Sequence, residues 1–251
     1  MADPETGSNE PVTPVKTPDS EIVISYMNLR RAIGFIGVGL PFALLLGEWI
    51  IRSFYTNAAG PQPSMSEYYY TAMRGVFVGS MCAIGTFLGS YRGEHKHDRI
   101  LATIACVSAI GVALFPCTPA WDNPEAWRKM LGVLHYSSAG ILFATLGTFC
   151  VWLFPRFTPD GSESQTALAP GSRKPTRNRF YKICGWTIYG CIAGIGVWTV
   201  LTKFFPHLGD AWTFPAYPVF WLEVGAVEAF GFSWLIKGHA ILGDTRPARS
   251  K

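Results

Sequence analysis

Charge is what this sequence has least of. Asp, Glu, Lys and Arg make up 15% of its 251 residues, where an ordinary soluble domain carries about 25%. Apolar residues make up 49%. Such a chain cannot cover a soluble fold of this length with a normal charged surface. The Lys and Arg that exist lie between apolar runs and form no stripe, so nucleic acid is not an expected partner. Cysteine offers no disulfide framework: Cys82, Cys106, Cys150, Cys184 and Cys191 fall within apolar runs, where the residue packs as a small hydrophobe. Cys117 lies near a loop and has no evident loop partner. No phosphate-binding glycine loop and no serine nucleophile elbow occurs. Zinc would need three or more His, Cys or acidic ligands, and His135 is the single histidine within an apolar run, so no metal and no cofactor is expected. A retinal Schiff base would want a lysine midway along a last helix, and Lys237 stands at the end of one. No cleavable signal peptide is visible.

What is there is a set of six apolar runs near the length a bilayer requires. They cover about Ala32 to Ile51, Ala72 to Tyr91, Ile100 to Phe115, Met130 to Phe154, Ile183 to Leu201 and Val219 to Ile236. The expected fold is therefore all-α: a polytopic membrane bundle of six transmembrane helices over residues 27–240. Residues 1–26 read as a disordered cytoplasmic tail, 157–178 as a flexible cytoplasmic linker and 241–251 as a C-terminal tail. Of the 21 Lys and Arg, sixteen fall on the side that holds both termini and five on the other. The positive-inside rule then places both termini in the cytoplasm.

The opposite loops are rich in Pro and Trp, including Pro116, Pro119, Trp121, Pro124, Trp127, Pro206, Trp212 and Pro215. They read either as an interfacial aromatic belt or as a lid. Gly75 and Gly79, Gly85 and Gly89, and Gly190 and Gly194 have small-xxx-small spacing, and Ser137, Gly140, Ala144 and Gly147 form a small stripe. Small residues let membrane helices approach closely. No three-plus-three inverted repeat is found, so a transporter lacks its usual sequence support.

Ionisable residues inside the apolar runs are the exceptions worth explaining, because each is costly unless paired or hydrated. Glu48, Arg74, His135 and Glu223 stand at similar depth toward the outer side, and Glu67 just precedes the second run. Arg74 is a candidate for holding a phosphate or carboxylate. Glu228 lies deeper, five residues beyond Glu223 and about 140° around the helix. Each has a plain alternative: Glu48 with Arg52 as an interfacial ion pair, Arg74 snorkelling, His135 as a hydrogen-bonded packing residue, Glu228 as structural glue between helices.

The segment Met65-Ser66-Glu67-Tyr68-Tyr69-Tyr70-Thr71-Ala72-Met73-Arg74-Gly75-Val76-Phe77-Val78-Gly79 resembles a block in small bacterial membrane proteins of unknown function. Ala113-Leu114-Phe115-Pro116, Leu134-His135-Tyr136-Ser137-Ser138-Ala139, Phe220-Trp221-Leu222-Glu223 and Ala229-Phe230-Gly231-Phe232-Ser233-Trp234-Leu235-Ile236-Lys237-Gly238 are similar to the same group. The likeness extends over about Phe54 to Gly238. More distantly the chain resembles the DRAM and Sfk six-helix membrane proteins, in which an outer-side Ser-acidic motif and a His followed by small residues recur. The resemblance implies a six-helix bundle in a bacterial plasma membrane and a lipid-linked role.

The resulting expectation is a multi-pass membrane protein, not an enzyme, that binds a lipid or amphipathic ligand in an outer-leaflet polar pocket. Glu67, Arg74, His135 and Glu223 would line it, with Arg74 holding an anionic head. Membrane lipids are the expected partners, and a homo-oligomer stays open. One alternative is a proton-coupled transporter or channel with Glu228 on the proton path. Another is an intramembrane lipid hydrolase or transferase using His135 and Glu223 as acid and base.

Overall fold

A computed structural model describes residues 18–55, 60–91, 96–119, 125–156, 173–205 and 217–242. All secondary structure among them is helical. The helices are α1 (Pro18–Phe54), α2 (Arg74–Gly89), α3 (Lys96–Leu114), α4 (Ala126–Arg156), α5 (Lys174–Phe204) and α6 (Pro218–Lys237), with a 3-10 helix at Met65–Tyr70 before α2. Five are long and apolar enough to cross a membrane. The sixth, α2, has 16 residues and a length of about 24 Å, short of a hydrocarbon core about 30 Å thick.

Two boundaries differ from the sequence expectation. The first helix begins at Pro18, inside the segment read as a disordered tail of residues 1–26. Composition hid a good helix start, since proline suits a first turn. The far end of this extension is tied down: Tyr26 stacks on Tyr91 with centroids 5.5 Å apart, and the Arg30 guanidinium sits 4.3 Å above Tyr26. Likewise α5 begins at Lys174, within the expected linker 157–178, with Pro175 in its first turn. The rest of that linker, the first 17 residues and the tail from 243 lie outside the described residues.

Proline also shapes the end of α4. Pro155 has no amide hydrogen and crowds the carbonyl four residues back. The helix does not stop there. It widens into a π turn over Phe149–Leu153 and carries on to Arg156, a common way for a helix to absorb such a defect.

The six helices pack as a closed ring in chain order, α1 against α2 and so on to α6, which closes back on α1. Neighbours run antiparallel, and the start of α1 and the end of α6, the described ends nearest the chain termini, fall at one end of the ring, where Arg31 Nε donates to the Gly238 carbonyl at 2.8 Å. The tightest crossing joins α1 to α6. A methyl group on Gly37 would lie 3.1 Å from the Gly231 Cα, and one on Gly231 would lie 2.7 Å from the Val38 amide nitrogen. Gly85 and Gly89 pack on Cys106 and Ala109 of α3, as their spacing suggests, whereas nothing lies within 4 Å of a methyl placed on Gly75 or Gly79.

At the end with the chain termini the ring is filled. Trp234 is fully buried, with Tyr91, Phe149, Phe154 and Phe230 packed around it at centroid distances of 5.3 to 6.1 Å. All six cysteines are free; Cys150 packs here and its thiol donates to Ser233 Oγ at 3.2 Å. The opposite end is less completely filled, and buried Glu48, Glu67 and His135 lie toward it.

Candidate functional site

The site is organised by Glu223, one turn into α6. Its carboxylate accepts hydrogen bonds from Ser64 Oγ at 2.8 and 3.0 Å, from the Met65 amide at 2.6 Å and from Ser66 Oγ at 3.4 Å. A 3-10 helix starts with amide hydrogens that have no partner inside it. Ser64 satisfies one, accepting from the Ser66 amide at 3.1 Å, and Glu223 satisfies another from a different helix. A carboxylate held by several donors is far less costly in an apolar setting than a bare one. Glu223 thus anchors the segment 63–67 across the opening of the ring.

A second loop is fastened to the first. Tyr70 donates to the Cys117 carbonyl at 2.5 Å, Cys117 Sγ donates to the Ser66 carbonyl at 3.4 Å, and Tyr136 donates to the Thr118 carbonyl at 3.1 Å. Burial, reinforced by the charges of Glu67 and Glu223, pushes the Cys117 thiol up to about 12. A thiol so held is protonated at neutral pH and is no nucleophile.

His135 is fully buried. Its Nδ1 lies 2.7 Å from the Phe115 carbonyl oxygen, and the Val112 carbonyl also faces the ring. The cause is again proline. Pro116 has no N–H to return to Val112 along the helix, so carbonyls at the end of α3 are left for a side chain to satisfy. A carbonyl only accepts, so Nδ1 carries the hydrogen, and the neutral ring presents an acceptor lone pair at Nε2. That nitrogen is buried and makes no hydrogen bond among the described residues.

These groups border a cavity of about 720 Å³ between α4 and α5, with α6 behind it. Glu67, His135 and Glu223 all line it; Ser64 and Ser66 contribute to the roof, and Phe143, Ile192, Ile195 and Val219 to the apolar wall. The cavity exists because α4 and α5 diverge. Toward the chain termini they touch: a methyl on Gly147 would lie 2.8 Å from the Tyr189 ring, and Thr148 Oγ1 and Tyr189 OH are 2.8 Å apart. Toward the other end, nothing lies within 4 Å of a methyl on Gly140 or Gly196, both on the cavity wall. A small apolar void of about 50 Å³ continues inward, sharing Ser66, Ala139, Phe143 and Glu223 with the cavity.

Three of the four expected binding residues therefore come together, and one does not. Arg74 is exposed, does not line the cavity, and lies over Tyr69 with its guanidinium 4.1 Å from the ring centroid and Nη2 donating to the Tyr69 hydroxyl at 2.6 Å. Glu48 is buried beside Thr71 and also stays outside the cavity. Glu228 is half-buried with Oε1 unpartnered among the described residues, and it lines neither void. Of the Pro- and Trp-rich loops, residues 120–124 and 206–216 lie outside the described residues, and with them the choice between belt and lid. Among the described residues, no three His, Cys, Asp or Glu side chains group as a metal site would require.

The anchoring role of Ser64, and the wall provided by Trp198, Thr199 and Thr202 of α5, went unseen in the sequence. A signal for the first existed, because Ser64 and Glu67 have the Ser-x-x-Glu spacing of a helix start. The second had none, since Trp and Thr are ordinary residues of an apolar run.

No family model, no curated protein and no solved structure matches this chain.

Proposed function

We propose that this chain is a six-span membrane protein, with both termini in the cytoplasm, that binds a lipid or similar amphipathic ligand in the cavity between α4 and α5. The observation behind the reading is the shape and chemistry of that cavity. It is polar under the 63–67 roof, apolar along the helices, and of a volume within the usual range of about 300 to 1,000 Å³ for ligand sites. Its flanking helix α5 is the most exposed of the long helices. Only 22% of its most apolar window is buried, against 56% for α6. Val197, Val200 and Leu201 face outward, so in a bilayer this flank borders lipid tails.

The six-span topology rests on the antiparallel ring and on the excess of Lys and Arg at the end with the termini. The short helix α2 would then need flanking residues, Arg74 among them, to reach the interface. The resemblance to small bacterial membrane proteins adds a bacterial plasma membrane, and the more distant one to the DRAM and Sfk proteins adds a lipid-linked role. The inner void of about 50 Å³ is too small for an acyl chain, so the chains would leave sideways between α4 and α5. The proton-path alternative has the unpartnered oxygen of Glu228 in its favour, but that residue is separate from both voids.

The test is native mass spectrometry of the full chain released from mild detergent, beside Gly140→Phe and Gly196→Phe. Both glycines line the cavity and have open space where a Cβ would go, so a larger side chain can start there without a clash and should reduce the space. A lipid retained by the wild type and lost in both variants is the expected result. Equal retention in all three sinks the reading.

A further inference from the structure

Glu228 is a polar group that neither the roof nor the cavity explains. It stands midway along the 20 residues of α6, about 15 Å from either end of the helix. With α6 spanning a membrane, that is the middle of the hydrocarbon core. Its neighbours settle which face it occupies. Trp221, seven residues before it, and Phe232, four after it, fall on the same stripe of the helix, and they are 46% and 43% exposed. Glu228 is half-buried between them on the outer side of the ring, and its Oε1 makes no hydrogen bond among the described residues. A carboxyl at mid-depth is costly unless paired or hydrated. The helices that flank α6 bring no cation to it: α1 and α5 expose Phe35, Phe42, Trp186 and Val197 along their middle turns.

We propose that the protein forms a homodimer through the outer face of α6, with the two Glu228 carboxyls paired across the two-fold axis. The complementarity is chemical. A neutral carboxyl has one O–H donor beside an acceptor oxygen, so two that face each other satisfy one another by reciprocal hydrogen bonds and need no third group. Copies inserted in the same orientation meet about an axis along the membrane normal, and such a contact sets a residue against its own counterpart, at one depth. The backbone beside Glu228 is open to a close approach: a methyl on Gly225 would find one atom within 4 Å, the Cys191 Sγ at 3.3 Å. Trp221 and Phe232 then pack on the second copy above and below the pair. The dimer rests on α6 spanning the membrane and is independent of what the cavity binds.

The full chain is labelled at its C-terminus with a donor or an acceptor fluorophore, and the two populations are reconstituted together in phosphatidylcholine vesicles at falling protein-to-lipid ratio. Energy transfer between copies reads association, and the wild type should retain it on dilution. Glu228→Leu removes the pair and should weaken association about tenfold, the scale of an interhelical hydrogen bond in a membrane. Leucine suits a lipid-facing stripe, so this variant should unfold in detergent no sooner than the wild type, which separates loss of the dimer from loss of the fold. Glu228→Gln, whose amide also has a donor and an acceptor, should keep the association. The place of contact is read by copper-catalysed air oxidation. Phe232→Cys should give a covalent dimer, and Val107→Cys, at an exposed site on α3 across the ring, should give no more than the wild type. Absence of energy transfer in the wild type at every ratio overturns the dimer. Transfer that Glu228→Leu leaves undiminished, or cross-linking through Val107→Cys as readily as through Phe232→Cys, overturns the α6 interface. Lipid retention by the cavity, measured separately, is untouched by either result.

Discussion

Removing the acceptor at Glu223 offers the sharpest check on the architecture of the site. Its carboxylate holds the Met65 amide at 2.6 Å and the Ser64 hydroxyl at 2.8 Å, with Ser66 Oγ at 3.4 Å. Hydrogen bonds to a charged group contribute about 1.5 to 3 kcal/mol each. Glu223→Ala loses two good ones and leaves the Met65 amide without a partner, so the roof should loosen by about 3 to 5 kcal/mol. Glu223→Gln keeps one oxygen, whereas its amide nitrogen cannot accept from Met65. It also removes a negative charge near Glu67, which offsets part of the loss. About 1 to 2 kcal/mol is expected for Gln. The assay is hydrogen exchange by mass spectrometry. Local opening free energies are read from amide protection, so peptides covering 63–71 should exchange about ten times faster in Glu223→Gln and faster again in Glu223→Ala. Peptides around Trp234 should keep their wild-type rate. Unchanged protection at 63–71 in both variants would show that Glu223 does not hold the roof, and the reasoning would fail. A uniform rise over the whole chain would refute the local role in a different way.

Two further predictions use the same geometry. Gly231→Ala should destabilise the bundle by about 1 to 3 kcal/mol, because its methyl meets the Val38 nitrogen at 2.7 Å and the Gly34 carbonyl oxygen at 3.0 Å, and backbone cannot swing aside. Gly79→Ala meets nothing within 4 Å and should be neutral or slightly stabilising, by up to about 1 kcal/mol from helix propensity; thermal unfolding in detergent that ranks the two alike refutes the α1–α6 crossing. Arg74→Ala removes an exposed stacking contact with Tyr69 and should leave lipid retention unchanged in native mass spectra, so loss of the retained lipid would return Arg74 to the site.

The helices themselves were legible because an apolar run long enough to cross a bilayer rarely arises in a soluble fold. The gathering of Glu67, His135 and Glu223 was legible for a related reason: polar groups that are costly in an apolar helix at one depth tend to share one hydrated space. Arg74 broke that inference because an arginine has a second way to be satisfied, over an aromatic ring beside it, and Tyr69 is five residues away. The partner of Glu223 was invisible for a deeper reason. Its strongest contact is the backbone amide of Met65, and every residue but proline has one. Helix order was unreadable because helices bordered by lipid are apolar on both faces, so no stripe marks the inner side. Small-residue spacing has the same weakness. It found Gly85 and Gly89, which pack on α3, and equally Gly75 and Gly79, which pack on nothing. The closest crossing, made by Gly34, Gly37 and Gly231, lies outside that spacing.

The ring has two unlike ends, and the proposed function rests on the difference. A closed ring of six helices leaves a central space that side chains must fill. At the end with the termini it is filled by Trp234 and its aromatic neighbours, and rigid packing of that kind leaves no room for a ligand. At the other end the same sequence places glycines at 140 and 196, on diverging helices, where larger side chains would have closed the gap. There it also places two carboxylates and an imidazole whose Nε2 has no partner among the described residues. Stability alone favours neither choice. Filling the gap would add packing, and apolar residues in place of the polar ones would remove a desolvation cost. Glu223 has a structural explanation in the roof it anchors, and His135 Nδ1 has one in the carbonyls freed by Pro116. The open space beside Gly140 and Gly196 has none. That space remains after packing has been accounted for, and it is where the proposed ligand would sit.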